Sequence, residues 1–178
     1  QLLSAGAQVN GPSSQGATPL HLASQDGHAA VVARLVEAKA LLDKGDQEGD
    51  TALHFACGNG HAAVAAQLLQ AGASAKIKNR RGATPLHLAA VFGHATVAKE
   101  LIAHDADLHA TGFMFPDPQS PGTLLNAIPE HPWTPLVAAC DLGHTAVASM
   151  LLAAGAKVDF NYKRCESAMH RACRNGHL

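Results

Sequence analysis

The sequence predicts an all-α solenoid, in which short helix-turn-helix units stack side by side and are joined by β-hairpin-like finger loops. Two landmarks recur together: a tetrapeptide related to Thr-Pro-Leu-His, exact in two of five copies, and, nine residues after its first residue, a Gly-His pair. Successive copies lie 33 residues apart, except for one interval of 50 residues. A fixed period with two locked landmarks indicates one supersecondary unit repeated along the chain.

The tetrapeptide predicts the first helix of each unit. In the third copy, Thr84 is a suitable N-cap and Pro85 suits the first helical position, where its missing N–H has no partner. Leu86 and Ala89 give this helix an apolar face that a neighbour can approach closely, and Gly93 supplies the left-handed conformation that ends it.

The Gly-His pair predicts a second helix that begins at the histidine. After His94, apolar side chains recur at Val97, Leu101 and Ile102. Helices this short are marginal in isolation, so each unit needs its neighbours to cover its apolar faces.

Together these motifs resemble the ankyrin-repeat family. The resemblance rests on Thr-Pro-Leu-His-Leu-Ala-Ala at 84–90, the Gly-His turns, and the Leu-Leu-x-Ala-Gly-Ala endings at 68–73 and 151–156. It implies one array over residues 1–178. The units it implies are a partial repeat at 1–9, full repeats at 10–42, 43–75 and 76–108, an insertion at 109–132, a fourth repeat at 133–159 and a partial repeat at 160–178.

The first full repeat and the two ends of the chain lead to further expectations. In the first full repeat, helices are predicted near 19–25 and 29–38, and Lys39 stands where other repeats carry Gly72 or Gly155. We therefore expect Lys39 to adopt a left-handed conformation. Neither end of the chain has a polar-faced cap, so we expect it to be an excerpt from a longer array.

The insertion between the third and fourth repeats has two interpretations. Its proline and glycine content predicts a loop, yet it carries the large apolar residues Phe113, Met114, Phe115, Leu124, Leu125 and Ile128. These side chains either cover neighbouring helix surface or form a finger or lid that contacts a partner.

The turns that open the second and third repeats carry opposite charge. The acidic set is Asp43, Asp46, Glu48 and Asp50, and the basic set is Lys76, Lys78, Arg80 and Arg81. Adjacent turns of opposite sign either pair as solvated salt bridges or form a bipolar surface that orients a charged peptide.

In the family, the two residues before the turn glycine face the concave groove. At these positions the chain has apolar Val91, Phe92 and Leu142, where polar residues are expected for solubility, and Asp141 beside them. With Phe113, Phe115 and Trp133 the three apolar residues predict a partner-binding patch, unless the insertion covers it. The predicted partner-binding residues are these together with Asp141, Arg80 and Arg81.

Metal binding and catalysis are not predicted. Nine of the twelve histidines occupy the two repeated positions, and the family implies that the first hydrogen-bonds within the turn and that the second stabilises the helix corner. No motif for a nucleophile, a zinc site or a phosphate-binding loop is present. We therefore predict no catalytic residue, no metal and no cofactor.

Composition limits the classes of partner and the compartment. A net charge of −1 gives no basic excess for nucleic acid, and no apolar run is long enough to span a membrane. Cys57, Cys140 and Cys173 share one small-residue position of the repeat and are expected to be buried thiols. We therefore expect a reducing compartment, the cytoplasm or alternatively the nucleus.

The sequence thus predicts a monomeric, non-enzymatic scaffold or adaptor that binds a protein or peptide through its groove and finger loops, without a small-molecule substrate. Two alternatives stay open. The array recruits substrates for a larger enzyme, such as a ubiquitin ligase, kinase or acyltransferase, or it is the cytosolic part of a membrane channel or cytoskeletal anchor.

Overall fold

The computed structural model describes residues 8–112, 133–158 and 167–177. Within these ranges the chain forms nine helices: α1 Pro19–Gln25, α2 Ala29–Glu37, α3 Ala52–Gly58, α4 Ala62–Gln70, α5 Pro85–Val91, α6 Ala95–Ala103, α7 Pro135–Asp141, α8 Thr145–Ala153 and α9 Ala168–Asn175. The predicted first and second helices of the first repeat match α1 and α2 to within one residue. The all-α repeat solenoid is therefore confirmed.

The helices form two layers. The first helices α1, α3, α5, α7 and α9 pack against one another in order, and the second helices α2, α4, α6 and α8 do the same. One leucine from each of four units in either layer is at most 5% exposed: Leu20, Leu53, Leu86 and Leu136 in the first layer, and Leu35, Leu68, Leu101 and Leu151 in the second. The core therefore runs the length of the stack between the layers.

The longer interval between the third and fourth units does not interrupt the stack. Helix α5 packs against α7, and α6 against α8, as neighbouring units do elsewhere. Gly112 and Trp133 form an antiparallel bridge in which each N–H donates to the other's carbonyl, at 3.0 and 2.9 Å. The flanks of residues 113–132, which are outside the described ranges, are thus held together.

The histidine of the tetrapeptide links the start of its own helix to the next unit. The backbone N–H and the hydroxyl of Thr84 both donate to Nδ1 of His87, at 3.1 and 2.9 Å. Because Nδ1 accepts an N–H, the ring proton is on Nε2, which donates to the carbonyl of Trp133 at 3.0 Å. His21 and His54 bond the carbonyls of Asp50 and Ala83 in the same way.

The fourth unit shows what this histidine contributes. Val137 stands in its place, and the Thr134 hydroxyl accepts the N–H of Val137 at 3.3 Å. The helix is still capped, but Val137 has no ring nitrogen that could donate to the following unit.

The histidine of the Gly-His pair holds the corner of the preceding unit. Nε2 of His94 donates to the carbonyl of Gly58 at 3.1 Å, and its ring lies against Gly60. A Cβ atom on Gly60 would lie 2.7 Å from this ring, and the φ of Gly60 is +76°. Glycine is therefore required here both for backbone conformation and for space.

Gly60→Ala is expected to lower the free energy of unfolding by about 2–3 kcal/mol, because left-handed strain and the displaced His94 bond act together. Gly72 provides a matched control, since its φ is +97° and a Cβ atom there would have no neighbour within 4 Å. Gly72→Ala should cost only the backbone strain, about 1–2 kcal/mol. Urea denaturation of both variants measures the difference, and equal losses would contradict the steric part of this account.

Two residues other than glycine take the left-handed conformation at the ends of second helices. Lys39 has φ 63°, as its position in the repeat predicted, and Asp105 has φ 59° at the equivalent position of the third unit. Both stand where Gly72 and Gly155 have positive φ. The unit thus keeps its backbone path at some cost in strain.

The cysteine prediction is correct for one residue and wrong for another. Cys57 is buried and Cys140 is half-buried, and burial raises the pKa of both thiols. Cys173 is exposed. In the other units, the next unit of the stack covers the side chain at this position. Among the described residues, no unit packs beyond α9.

Candidate functional site

Four residues that immediately follow the first helices form a row across one end of the first-helix layer. Asp26, Asn59, Phe92 and Leu142 are the C-caps of α1, α3, α5 and α7, and all four are exposed. We call them the C-cap row. Phe92 is 51% exposed and Leu142 45%. The structure therefore places these two predicted residues side by side at the surface, on neighbouring units.

Phe92 forms one wall of a notch whose floor is Gly58. The ring of Phe92 is stacked on that of His94, with 6.2 Å between centroids. A Cβ atom on Gly58 would lie 3.9 Å from Cε2 of Phe92 and 3.7 Å from Cδ1 of Leu88. Gly58 is itself partly exposed, so solvent reaches this space. We define the notch by Gly58, Leu88 and Phe92.

Gly58 lies two residues before the turn glycine Gly60, at a position that the family implies faces the groove, but no role was predicted for it. The sequence signal for the notch was the lack of a side chain at Gly58, because the equivalent positions of the other units carry Gln25, Val91, Asp141 and Arg174. The residue after the tetrapeptide histidine was missed altogether. At that position Leu22 is 51% exposed and Phe55 and Leu88 are half-buried, so apolar side chains extend along the first three units.

Val91 and Asp141 precede the C-cap row but do not present open side chains. Val91 is half-buried against the core, and its carbonyl accepts Nε2 of His144 at 2.7 Å. The side chain of Asp141 is only 14% exposed and accepts from Arg171 at 3.4 Å and from Asn175 at 3.1 Å. Asp141 thus joins α7 to α9.

Trp133 lies at the start of the fourth unit, outside the C-cap row. The guanidinium carbon of Arg171 is 5.1 Å from the centre of its ring, a cation–π contact, and the residue is half-buried against the core. One face of the indole is therefore already used within the array. The other two predicted aromatic residues, Phe113 and Phe115, lie outside the described residues.

The two charged turns contact each other through a neutral amide. Oδ1 of Asp46 accepts two N–H groups of its own turn at 2.9 Å, and Oδ1 of Asn79 does so in the next turn at 3.0 Å. Nδ2 of Asn79 donates to Asp50 at 2.8 Å. Lys76 pairs with Asp105 near the end of the same unit, and this ammonium lowers the pKa of the Asp105 carboxyl.

The predicted residues Arg80 and Arg81 are both exposed on the third turn. The N–H of Arg80 donates to the carbonyl of Glu48 at 2.9 Å, which fixes the tips of the two turns side by side. The N–H of Arg81 donates to Asn79. Their backbone is therefore part of the stack, while their side chains lie at its surface.

A polar cleft of about 450 Å³ lies where the tails of the third and fourth units meet. Lys76, Asp105 and His109 line it, but Lys76 and Asp105 pair with each other and Nε2 of His109 accepts the N–H of Lys157 at 3.1 Å. These groups hold the tails together. In the three described ranges, no group of three or more His, Cys, Asp or Glu side chains could hold a metal ion, and no helix could cross a membrane.

Comparison with known proteins agrees with this architecture. A family model described as ankyrin repeats, in three copies, matches residues 38–112, and the single ankyrin-repeat model matches 15–47 and 133–163. Among curated proteins, no significant match is found. Ankyrin repeats generally mediate protein–protein interactions and are typically without enzymatic activity. Because the matched residues cover most of the chain, it belongs to the ankyrin-repeat family.

Proposed function

We propose that this chain is a non-enzymatic interaction module that binds a protein or peptide through its first-helix face, using Phe92, Leu142 and the notch. The supporting observation is the exposure of these apolar side chains, because Leu86 of α5 and Leu136 of α7 are buried in the core. An exposed cluster with an aromatic anchor is typical of binding surfaces. Val91, Trp133, Asp141, Arg80 and Arg81 then support or border this surface.

The proposal includes a monomeric array in the cytoplasm. Cys57, Cys140 and Cys173 are free thiols, as expected of a protein in a reducing compartment. The buried Cys57 stays protonated at neutral pH, because burial raises the pKa of its thiol.

Leu142→Ala and Leu152→Ala form a matched test. Leu142 is 45% exposed in the C-cap row, and Leu152 is 44% exposed on the second helix α8. The immobilised array is incubated with cell lysate, and the retained proteins are quantified by mass spectrometry. We expect Leu142→Ala, and more strongly Phe92→Ala, to lose specific proteins that the wild type and Leu152→Ala retain.

The thermal melting curve of each variant is the control for folding. Unchanged melting with loss of retained proteins supports binding at the first-helix face. If Phe92→Ala and Leu142→Ala retain the same proteins as the wild type in the same amounts, the proposal is wrong.

A further inference from the structure

We infer that the preferred occupant of the first-helix face is a peptide segment with one apolar anchor side chain and with basic side chains on the flank that lies over the first two units. This inference rests on the proposed function and adds the chemistry of the partner. The shape of the notch and the distribution of charge beside it support this assignment.

The notch selects the anchor. Its floor is the backbone of Gly58, and its walls are Leu88 and Phe92, so the groups that face an entering side chain are apolar or aromatic. Leu142 extends this surface by one unit. A leucine, methionine or phenylalanine side chain would bury apolar area on both partners, whereas a charged side chain would be desolvated without a partner.

The space at Gly58 is a property of this unit alone. The equivalent residues Gln25, Val91, Asp141 and Arg174 all have side chains that occupy the corresponding position of their own units. The anchor position is therefore defined along the stack, and with it the register of the bound segment.

The charge on either side of the notch is unequal. The C-cap row begins with exposed Asp26, and the turn that precedes α3 carries Asp46, Glu48 and Asp50. Oδ1 of Asp46 accepts backbone N–H groups and Oδ1 of Asp50 accepts the Asn79 amide, but such bonds leave the carboxylate charge in place. The first two units therefore attract basic side chains.

Cations on either side of the acidic turn limit where the basic side chains can lie. Lys44 precedes the acidic turn, and its ammonium is directed to the carbonyl of Asn10 at 3.5 Å. Arg80 is exposed on the third turn and its N–H donates to the carbonyl of Glu48, so a basic residue on that side of the acidic turn would meet like charge. The favourable flank therefore points away from the third unit, towards Asp26 of the first unit.

The dimensions of the stack set the spacing. Neighbouring helices pack about 8–10 Å apart, so Asp26 lies two steps, about 20 Å, from Phe92. A seven-residue helix such as α3 is about 10 Å long, which separates the acidic turn from the C-cap row. An extended chain advances about 3.3 Å per residue. Basic residues about three to six positions from the anchor would reach these carboxylates.

The test is a selection from phage-displayed random 16-residue peptides on the immobilised array, followed by fluorescence polarisation with the enriched peptide made synthetically. We expect an apolar anchor with at least two Lys or Arg about three to six residues away on one side. Binding should weaken about tenfold with Phe92→Ala, and several-fold with Gly58→Ala, whose methyl group fits the notch floor at ordinary contact distance.

Charge reversal tests the flank. Asp26→Lys and Glu48→Lys should each weaken binding several-fold at low salt, and less at high salt. Glu37→Lys is the matched control, because Glu37 is exposed on α2 in the second-helix layer and should not affect binding.

The outcomes separate this inference from the proposed function. If binding depends on Phe92 but not on Asp26 or Glu48, or if enriched peptides lack a basic flank, the partner chemistry is wrong and the binding face stands. If binding depends on none of these residues, the partner chemistry and the proposed binding face are both wrong. If no peptide is enriched over the bare support, a peptide occupant is excluded, and the lysate experiment alone tests the face.

Discussion

Leu86→Ala is expected to lower the free energy of unfolding by about 2–5 kcal/mol. Leu86 is fully buried in α5, and this helix packs against α3, α6 and α7. Removing most of its side chain leaves a cavity that three neighbouring helices cannot easily close. Because each unit of a solenoid is stabilised by its neighbours, a defect in this central unit also weakens the units on both sides.

Leu22→Ala is the matched control for this experiment. It makes the same chemical change in the first-helix layer, but Leu22 is 51% exposed, so the expected loss is within about 0.5 kcal/mol. Phe92→Ala should resemble Leu22→Ala rather than Leu86→Ala. Urea denaturation followed by circular dichroism measures all three. If Phe92→Ala is as damaging as Leu86→Ala, Phe92 belongs to the core and the binding face is refuted.

Acidification is expected to destabilise the array between about pH 6.5 and pH 4, through the buried tetrapeptide histidines. Burial is the main cause that lowers the pKa of His87 from 6.5 to about 4, and burial also lowers the pKa values of His21 and His54. Protonation would place a hydrogen on Nδ1, where the N–H of Thr84 already donates. The nearby charges oppose each other, since Lys78 lowers this pKa and Asp107 raises it.

The direction of this change in the free energy of unfolding follows from proton linkage. Above pH 6.5 His87 is neutral in both the folded and the unfolded chain, so the lowered pKa costs nothing. As the pH falls towards 4, the unfolded chain binds the proton first, and the free energy of unfolding decreases. The gap between 6.5 and about 4 corresponds to about 3 kcal/mol for this residue. Below pH 4 His87 is protonated in both states and causes no further loss.

His87→Val isolates this contribution, because the fourth unit already has valine at this position in Val137. The variant should lose the bond to Trp133 and be less stable at pH 7.5. Its stability should nevertheless depend less steeply on pH than that of the wild type, since only two of the three buried tetrapeptide histidines, His21 and His54, remain. The measurement is the urea midpoint at several pH values from 7.5 to 4.5. Parallel curves for the two proteins would refute the assignment to His87.

Periodicity explains why much of the fold could be predicted. Thr-Pro at the start of a helix, glycine at its end and leucine in its middle act within a few residues, and the 33-residue interval repeats these local signals. The bounds of α1 and the positive φ of Lys39 were predictable for this reason. The family followed from the same motifs.

The candidate site was predictable only in part. Phe92 and Leu142 could be placed by register, because their positions repeat along the chain. Asp141 and Trp133 could not be judged this way, because both contact Arg171, which is 30 residues or more away and is not part of any shared motif. The notch was missed because it is defined by an absent side chain at Gly58 and by walls from the next unit.

The repeating unit, its helices and their core leucines could be read from the chain alone, because they depend on capping, periodicity and local backbone conformation. Contacts between units determine which polar and apolar side chains stay available to a partner. Asp50 bonds Asn79, Asp141 bonds Arg171, and Cys173 is exposed because no unit covers it among the described residues. Availability depends on what the neighbouring unit contributes at each position, and that contribution differs from unit to unit.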